Sequence, residues 1–217
     1  MLIFLKFWYC KFPTIFVNMK SLFILFFSGL VFFGVANAQL SPVSPLSFSK
    51  IDTTLKMGKT GYRVNCKNKN VDRNPLTVNL LGFESEARDM DLVISGRLAK
   101  AEIDDLNGDG FPDLVLYIYS DSNAMFGTVF TFLSEANKSI TPCILPDTRL
   151  NGKLNTGYNG HDQFVLMQSY LQQKFPIYKT GDEKNKPTGG TRVILYQLVP
   201  GEDGKFKFDM VRFYDTM

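Results

Sequence analysis

From Leu76 to the C-terminus, apolar residues gather in short runs broken by clusters of Gly, Asn and Asp. The runs at 77–83, 92–96, 98–104, 114–119, 128–133, 163–170, 192–199 and 206–214 are rich in β-branched and aromatic residues and show little helical spacing. Each reads as a strand bounded by turn residues. The last alternates cleanly: Phe206, Phe208, Met210 and Arg212 fall on one face, Lys207, Asp209 and Val211 on the other. Many short strands with turn signals between them predict an all-β fold, an antiparallel β-sandwich or barrel-like single domain. No internal repeat is visible, which argues against a propeller.

The N-terminal pattern is different. Met19-Lys20 is followed by an apolar stretch over 21–35 dense in Phe and Leu, then by Ala36-Asn37-Ala38. A positive charge, an apolar core and a small-x-small site are the parts of an export signal, so residues 1–38 are expected to be removed. Met19 would then serve as the true start; a longer signal or a membrane anchor is the alternative. The first apolar patch, 2–9, is too short to span a bilayer. A Ser/Pro-rich lead-in with Pro42 and Pro45 covers 39–50, and 51–217 forms the expected β-rich domain. The product is expected in the periplasm or outside the cell, free of the membrane after cleavage.

Cleavage changes the charge balance. The full chain carries 24 basic and 21 acidic residues, but Lys6, Lys11 and Lys20 leave with the signal, and the remainder is electrically neutral. With no basic stripe, nothing favours a nucleic-acid partner. Cys66 and Cys143 stay after Cys10 is lost. In an exported protein they are candidates for one disulfide, worth about 4 kcal/mol in the chain-entropy model. Two separate thiols or an intermolecular bridge are the alternatives, and a homodimer is an open possibility.

One segment carries candidate metal chemistry. Asp105, Asn107, Asp109 and Asp113 occupy positions 1, 3, 5 and 9 of a loop, with Gly110 at position 6 and the Phe111 carbonyl at position 7. Alternate oxygens converging on one point suit calcium, which takes six to eight hard ligands. An EF-hand would need Glu at position 12, where Leu116 stands, and the flanks read as strands. The loop resembles the calcium loop of integrin-type FG-GAP repeats, and a structural Ca2+ is expected. The plain alternative is an acidic hairpin turn that binds nothing.

Three further blocks follow: 157–164 (GYNGHDQF), 175–178 (FPIY) with Gly181-Asp182, and 187–192 (PTGGTR). Together with the acidic loop, in this order, they resemble the periplasmic inhibitors of invertebrate-type lysozyme over roughly residues 90–213. The resemblance implies an exported all-β protein that inhibits a lysozyme by inserting a loop into its cleft, without being an enzyme itself. The family's loop reads Ser-Gly-x-Tyr; here the matching stretch is Asn123-Ala124-Met125-Phe126, followed by Gly127. Phe126 has no hydroxyl for the carboxyl groups of a lysozyme cleft, whereas the Asn123 amide still donates.

Read from the residues alone, 120–123 is a polar turn with Met125 and Phe126 near its tip, so Phe126 is either a partner anchor or the first core residue of the next strand. Tyr158 and His161 complete the candidate partner-binding set. His161-Asp162 offers the pieces of a catalytic base, but no nucleophile elbow or second His accompanies it; the structural alternative is that Asp162 caps the Gly160 turn while His161 satisfies a buried backbone group. Residues 187–190 lack the Lys-Ser/Thr ending of a phosphate loop and read as a tight turn. Arg192 pairs with a carboxylate or faces a partner. The main alternative function is a calcium-stabilised, non-catalytic module for a glycan or cell-surface component, using Tyr158 or Tyr178.

Overall fold

The computed structural model describes residues 48–84, 87–120, 125–183 and 185–217. The expected signal peptide and most of the lead-in lie outside the described residues. Twelve strands among the described residues form three antiparallel four-stranded sheets. Strands β1 (Ile51–Met57), β2 (Thr60–Cys66), β3 (Asn74–Leu81) and β4 (Met90–Ile94) make the first. The second contains β5 (Arg97–Asp104), β6 (Asp113–Tyr119), β7 (Gly127–Glu135) and β8 (Ser139–Ile144). The third contains β9 (Gln163–Met167), β10 (Tyr170–Pro176), β11 (Thr191–Pro200) and β12 (Phe206–Thr216). Each sheet is a meander in chain order, so one architectural unit recurs three times without any sequence repeat to announce it. The sheets do not close into a barrel, and the sandwich expectation holds. Among the described residues no helix is long and apolar enough to cross a membrane.

The second sheet is the middle layer. Strand β6 is buried at every position, and its side chains divide by parity. Val115, Tyr117 and Tyr119 enter a core shared with Leu171, Phe175, Ile194 and Tyr196 of the third sheet. Leu114, Leu116 and Ile118 enter a core shared with Tyr62, Val64, Leu76 and Val78 of the first. A strand buried on both faces must be apolar at consecutive positions, which is why 114–119 shows no alternation. Each fully buried Leu there contributes about 1.5–3 kcal/mol relative to exposure.

The same layering corrects the cysteine expectation. Cys66 lies in the core on the first-sheet side and Cys143 in the core on the third-sheet side, and both are free. The middle sheet stands between them, so the expected disulfide does not form. Burial raises both thiols, Cys143 to about 11, and makes them poor nucleophiles.

Three other readings change. Strands β1, β2 and β8 went unrecognised. The single strand expected over 163–170 is instead β9, a two-residue turn and the start of β10; the turn residues Gln168 and Ser169 both have positive φ, at 42° and 69°, without the Gly or Asn that normally marks such a hairpin. In β12 the alternation fails after Met210, because Tyr196 pairs with Met210 but Leu195 pairs with Arg212. Val211 is the extra residue of a bulge, and it moves Arg212 to the face opposite Phe208 and Met210. Residues 187–190 do form a turn into β11: the Ile177 amide donates to the Gly190 carbonyl and the Gly189 amide donates back to Ile177, both at 2.9 Å.

Candidate functional site

Strand β6 has a loop at each end, and each loop is gripped by a buried carboxylate. At its start lies the acidic loop. The Asp105 carboxylate accepts the amides of Asp109 and Gly110, both at 2.9 Å, and winds the chain around itself. Asn107 Oδ1 accepts the Asp109 amide at 3.1 Å, and Asp109 Oδ1 accepts the Phe111 amide at 2.9 Å. Gly108 and Gly110 have φ of 76° and 85°, the left-handed conformation that such winding requires. Asn107 Nδ2 donates to Asp109 Oδ2 at 3.1 Å, so every side-chain oxygen of Asp105, Asn107 and Asp109 accepts a hydrogen bond from within the loop.

Asp113 differs from the other expected ligands. It is wholly buried, and its two oxygens accept the amides of Leu106 at 2.9 Å and Ser134 at 2.8 Å. Burial, with Asp109 and Asp105 nearby, pushes its carboxyl up to about 7. It acts here as a strut between the loop and β7. The loop is also tied to the other two layers: the Tyr62 hydroxyl donates to the Pro112 carbonyl at 2.7 Å, and the Ser169 hydroxyl donates to the Asp105 carbonyl at 2.9 Å. Among the described residues no group of three or more His, Cys, Asp or Glu side chains is arranged to hold a metal ion.

At the other end of β6 is the expected partner loop. Asn123 lies outside the described residues, as do its neighbours 121, 122 and 124. The root of the loop is well defined. The Ser120 amide donates to the Phe126 carbonyl at 2.9 Å, and the Phe126 amide donates to Ser120 Oγ at 3.0 Å. Met125, with φ of 44°, packs against the core, and Phe126 is half-buried. Its ring meets Tyr158 edge-on at 5.8 Å and lies 5.2 Å from the Arg149 guanidinium. Met125 and Phe126 therefore form the base of the loop and not its tip, because the chain must close on Ser120 before β7 begins.

Beneath this base sits Asp162, 3% exposed. Its Oδ2 accepts the Gly127 amide at 2.8 Å and the Tyr158 hydroxyl at 2.6 Å; its Oδ1 accepts Gln173 Nε2 at 2.7 Å. Gln173 is shared further with Thr148 Oγ1 and the Tyr196 hydroxyl. Burial raises the Asp162 carboxyl above its usual range, against the lowering effect of these donors. Gly127 is required by space: a Cβ there would lie 2.5 Å from Phe164 Cε2 and 2.9 Å from Asp162 Cβ. An open cleft of about 310 Å³ lies above the network, lined by Ser120, Phe126, Asp147, Arg149, Tyr158 and Gln173 among others. Asp147 holds Arg149 through Nε and Nη2, the latter at 2.6 Å, and so fixes the guanidinium beside Phe126.

The other expected site residues separate. His161 has φ of 60° and its ring stacks near Tyr178 at 6.3 Å, while its buried Nε2 has no hydrogen-bond partner among the described residues. The Asp162 oxygens are taken by Gly127, Tyr158 and Gln173, so no His161–Asp162 dyad forms and Asp162 does not cap the Gly160 turn. Arg192 is an internal tether: it holds Asp215 through Nε and Nη2, both at 2.8 Å, and the carbonyls of Leu154 and Thr156 through Nη1. Asp147, Thr148, Arg149 and Gln173 were not anticipated. Gln173 had a signal, since it sits between Leu171 and Phe175 on the inward face of β10.

No protein-family model matches the chain, and no curated protein or solved structure matches it either.

Proposed function

We propose that this chain is an exported, non-catalytic binding protein that inhibits a lysozyme of the invertebrate type by presenting the β6–β7 loop to the enzyme's cleft. The observation that carries this reading is the construction of the loop root. Ser120, Phe126 and Gly127 are fixed by backbone bonds, by the Ser120 hydroxyl and by a buried carboxylate. A loop whose root is fixed before encounter loses less conformational freedom on binding, which favours affinity. The resemblance in 157–164, 175–182 and 187–192 supports the same reading, and the first of these blocks supplies Tyr158 and Asp162, which hold the loop root from below. Phe126 does not need a hydroxyl to serve: it supports the loop from below, and Asn123 keeps an amide for the partner's carboxyl groups. In this reading the acidic loop holds a structural Ca2+ through Asp105, Asn107 and Asp109 with the Phe111 carbonyl, clamping the far end of β6.

The test is inhibition of invertebrate-, chicken- and goose-type lysozymes by the purified protein in millimolar calcium. Selective inhibition of the invertebrate type, weakened at least tenfold by the Met125→Ala/Phe126→Ala double substitution, supports the proposal. Equal inhibition by that variant would sink the loop mechanism. Inhibition of no lysozyme, with binding to a glycan, would favour the calcium-stabilised glycan module.

A further inference from the structure

We propose that Asp162 is a positioning residue that joins the root of the β6–β7 loop, Phe126 and Gly127, and the Asp147–Arg149 wall into a single binding surface; this rests on the reading of that loop as the lysozyme contact. Asp162 belongs to neither side of the cleft. It stands just before β9 in the third sheet, whereas Gly127 opens β7 in the second. Its Oδ2 holds the Gly127 amide at 2.8 Å and so fixes the point where the loop re-enters the sheet. The same oxygen accepts the Tyr158 hydroxyl at 2.6 Å, and Tyr158 supports the Phe126 ring edge-on at 5.8 Å.

The opposite wall is held through Oδ1. That oxygen orients Gln173 Nε2 at 2.7 Å, and Gln173 bonds to the Thr148 hydroxyl. Thr148 lies between Asp147 and Arg149, whose guanidinium returns to the Phe126 ring at 5.2 Å. The path Gly127–Asp162–Gln173–Thr148–Arg149–Phe126 is therefore closed. A carboxylate suits its centre because it is acceptor-only and three donors face it. An Asn of the same shape must turn its NH2 toward one of those donors, which leaves that donor unsatisfied while packing is kept. Gly127 is itself fixed in kind, since a Cβ there would lie 2.5 Å from Phe164 Cε2 and 2.9 Å from Asp162 Cβ.

The experiment compares wild type with Asp162→Asn and Tyr158→Phe, and with Leu76→Ala as a control for general destabilisation in the distant core. Inhibition constants for invertebrate-type lysozyme are measured together with hydrogen exchange of the peptide spanning 120–127. We expect Asp162→Asn to weaken inhibition at least tenfold and to speed exchange across 120–127 at least tenfold, with a smaller effect of the same kind for Tyr158→Phe. Leu76→Ala should lower the melting temperature without either effect. Unchanged exchange in Asp162→Asn overturns the proposal, and so does faster exchange with undiminished inhibition. If wild type inhibits no lysozyme, the functional reading falls separately; exchange then decides the positioning role of Asp162, the latch of the loop root, faster exchange supporting it and unchanged exchange overturning it.

Discussion

The two ends of β6 solve one problem in different ways. Both must anchor a loop, and both place a buried carboxylate under it. Asp113 is close in sequence to the loop it holds, and it accepts two backbone amides, those of Leu106 and Ser134. Around it the acidic loop reaches all three layers, through Tyr62 in β2, Ser134 in β7 and Ser169 in the β9–β10 turn of the third sheet. Asp162 comes from 35 residues beyond Gly127 and accepts one backbone amide and two side-chain donors. The Asp113 end is thus a rivet through the stack, whereas the Asp162 end fixes only the root of a loop. In the function proposed above, stability is concentrated at one end and recognition at the other, as is common where a rigid scaffold carries a functional loop.

The sharpest way to break this contrast is to remove each carboxylate. Asp113→Ala leaves two buried amides without acceptors, each costing about 1–3 kcal/mol, so urea denaturation should show a loss of about 2–5 kcal/mol. Asp162→Ala should cost less, about 1–3 kcal/mol, because Tyr158 and Gln173 border the cleft and gain water. Equal losses, or a larger loss at Asp162, would remove the distinction between rivet and latch.

Calcium is expected to act on the rivet alone. At ten times its dissociation constant it should stabilise the fold by about 1.4 kcal/mol through mass action, seen as a rise in melting temperature that Asp109→Ala abolishes. Exchange in 120–127 should not respond. No shift in millimolar calcium would reject the site.

Acid separates a second pair of carboxylates. Burial raises Asp162, so its contribution to stability is fully present below the ordinary carboxylate value of 3.8 and is lost as pH rises through the higher folded-state value. Asp215 is lowered by its bonds to Arg192, so its contribution is present above 3.8 and is lost as pH falls through the lower folded-state value. The melting-temperature gap between wild type and Asp162→Asn should therefore widen in acid, and the gap between wild type and Asp215→Asn should narrow. Parallel curves would refute both assignments. The smallest effect is expected from Arg149→Ala, whose exposed pair with Asp147 is worth about 1 kcal/mol or less. Its consequence should be seen in inhibition more than in stability.

Legibility followed the range of the interactions. The acidic loop was readable because its winding is local: Asp105 bonds Asp109 and Gly110, four and five residues on, and the glycines stand where φ turns positive. The role of Asp113 was not, because the same Asp serves as an open ligand or as an inward strut depending on whether a strand from elsewhere brings Ser134 to it. Phe126 could not be placed between tip and core from sequence, since its support comes from Arg149 and Tyr158, 23 and 32 positions away. The hairpin turn at Gln168-Ser169 and the bulge at Val211 carried no signal because tertiary packing imposes them on residues that do not prefer them.

By itself the sequence determined the fold class, most of the strands and the position of the acidic loop, since side-chain alternation and turn chemistry act over a few residues. Only the tertiary structure decided that the sheets stack three deep, that Cys66 and Cys143 lie on opposite sides of the middle layer, and that Asp162 rather than His161 is the centre of the candidate site. Those outcomes depend on which face of which strand meets another across long stretches of chain, and burial on both sides of β6 is what makes them definite.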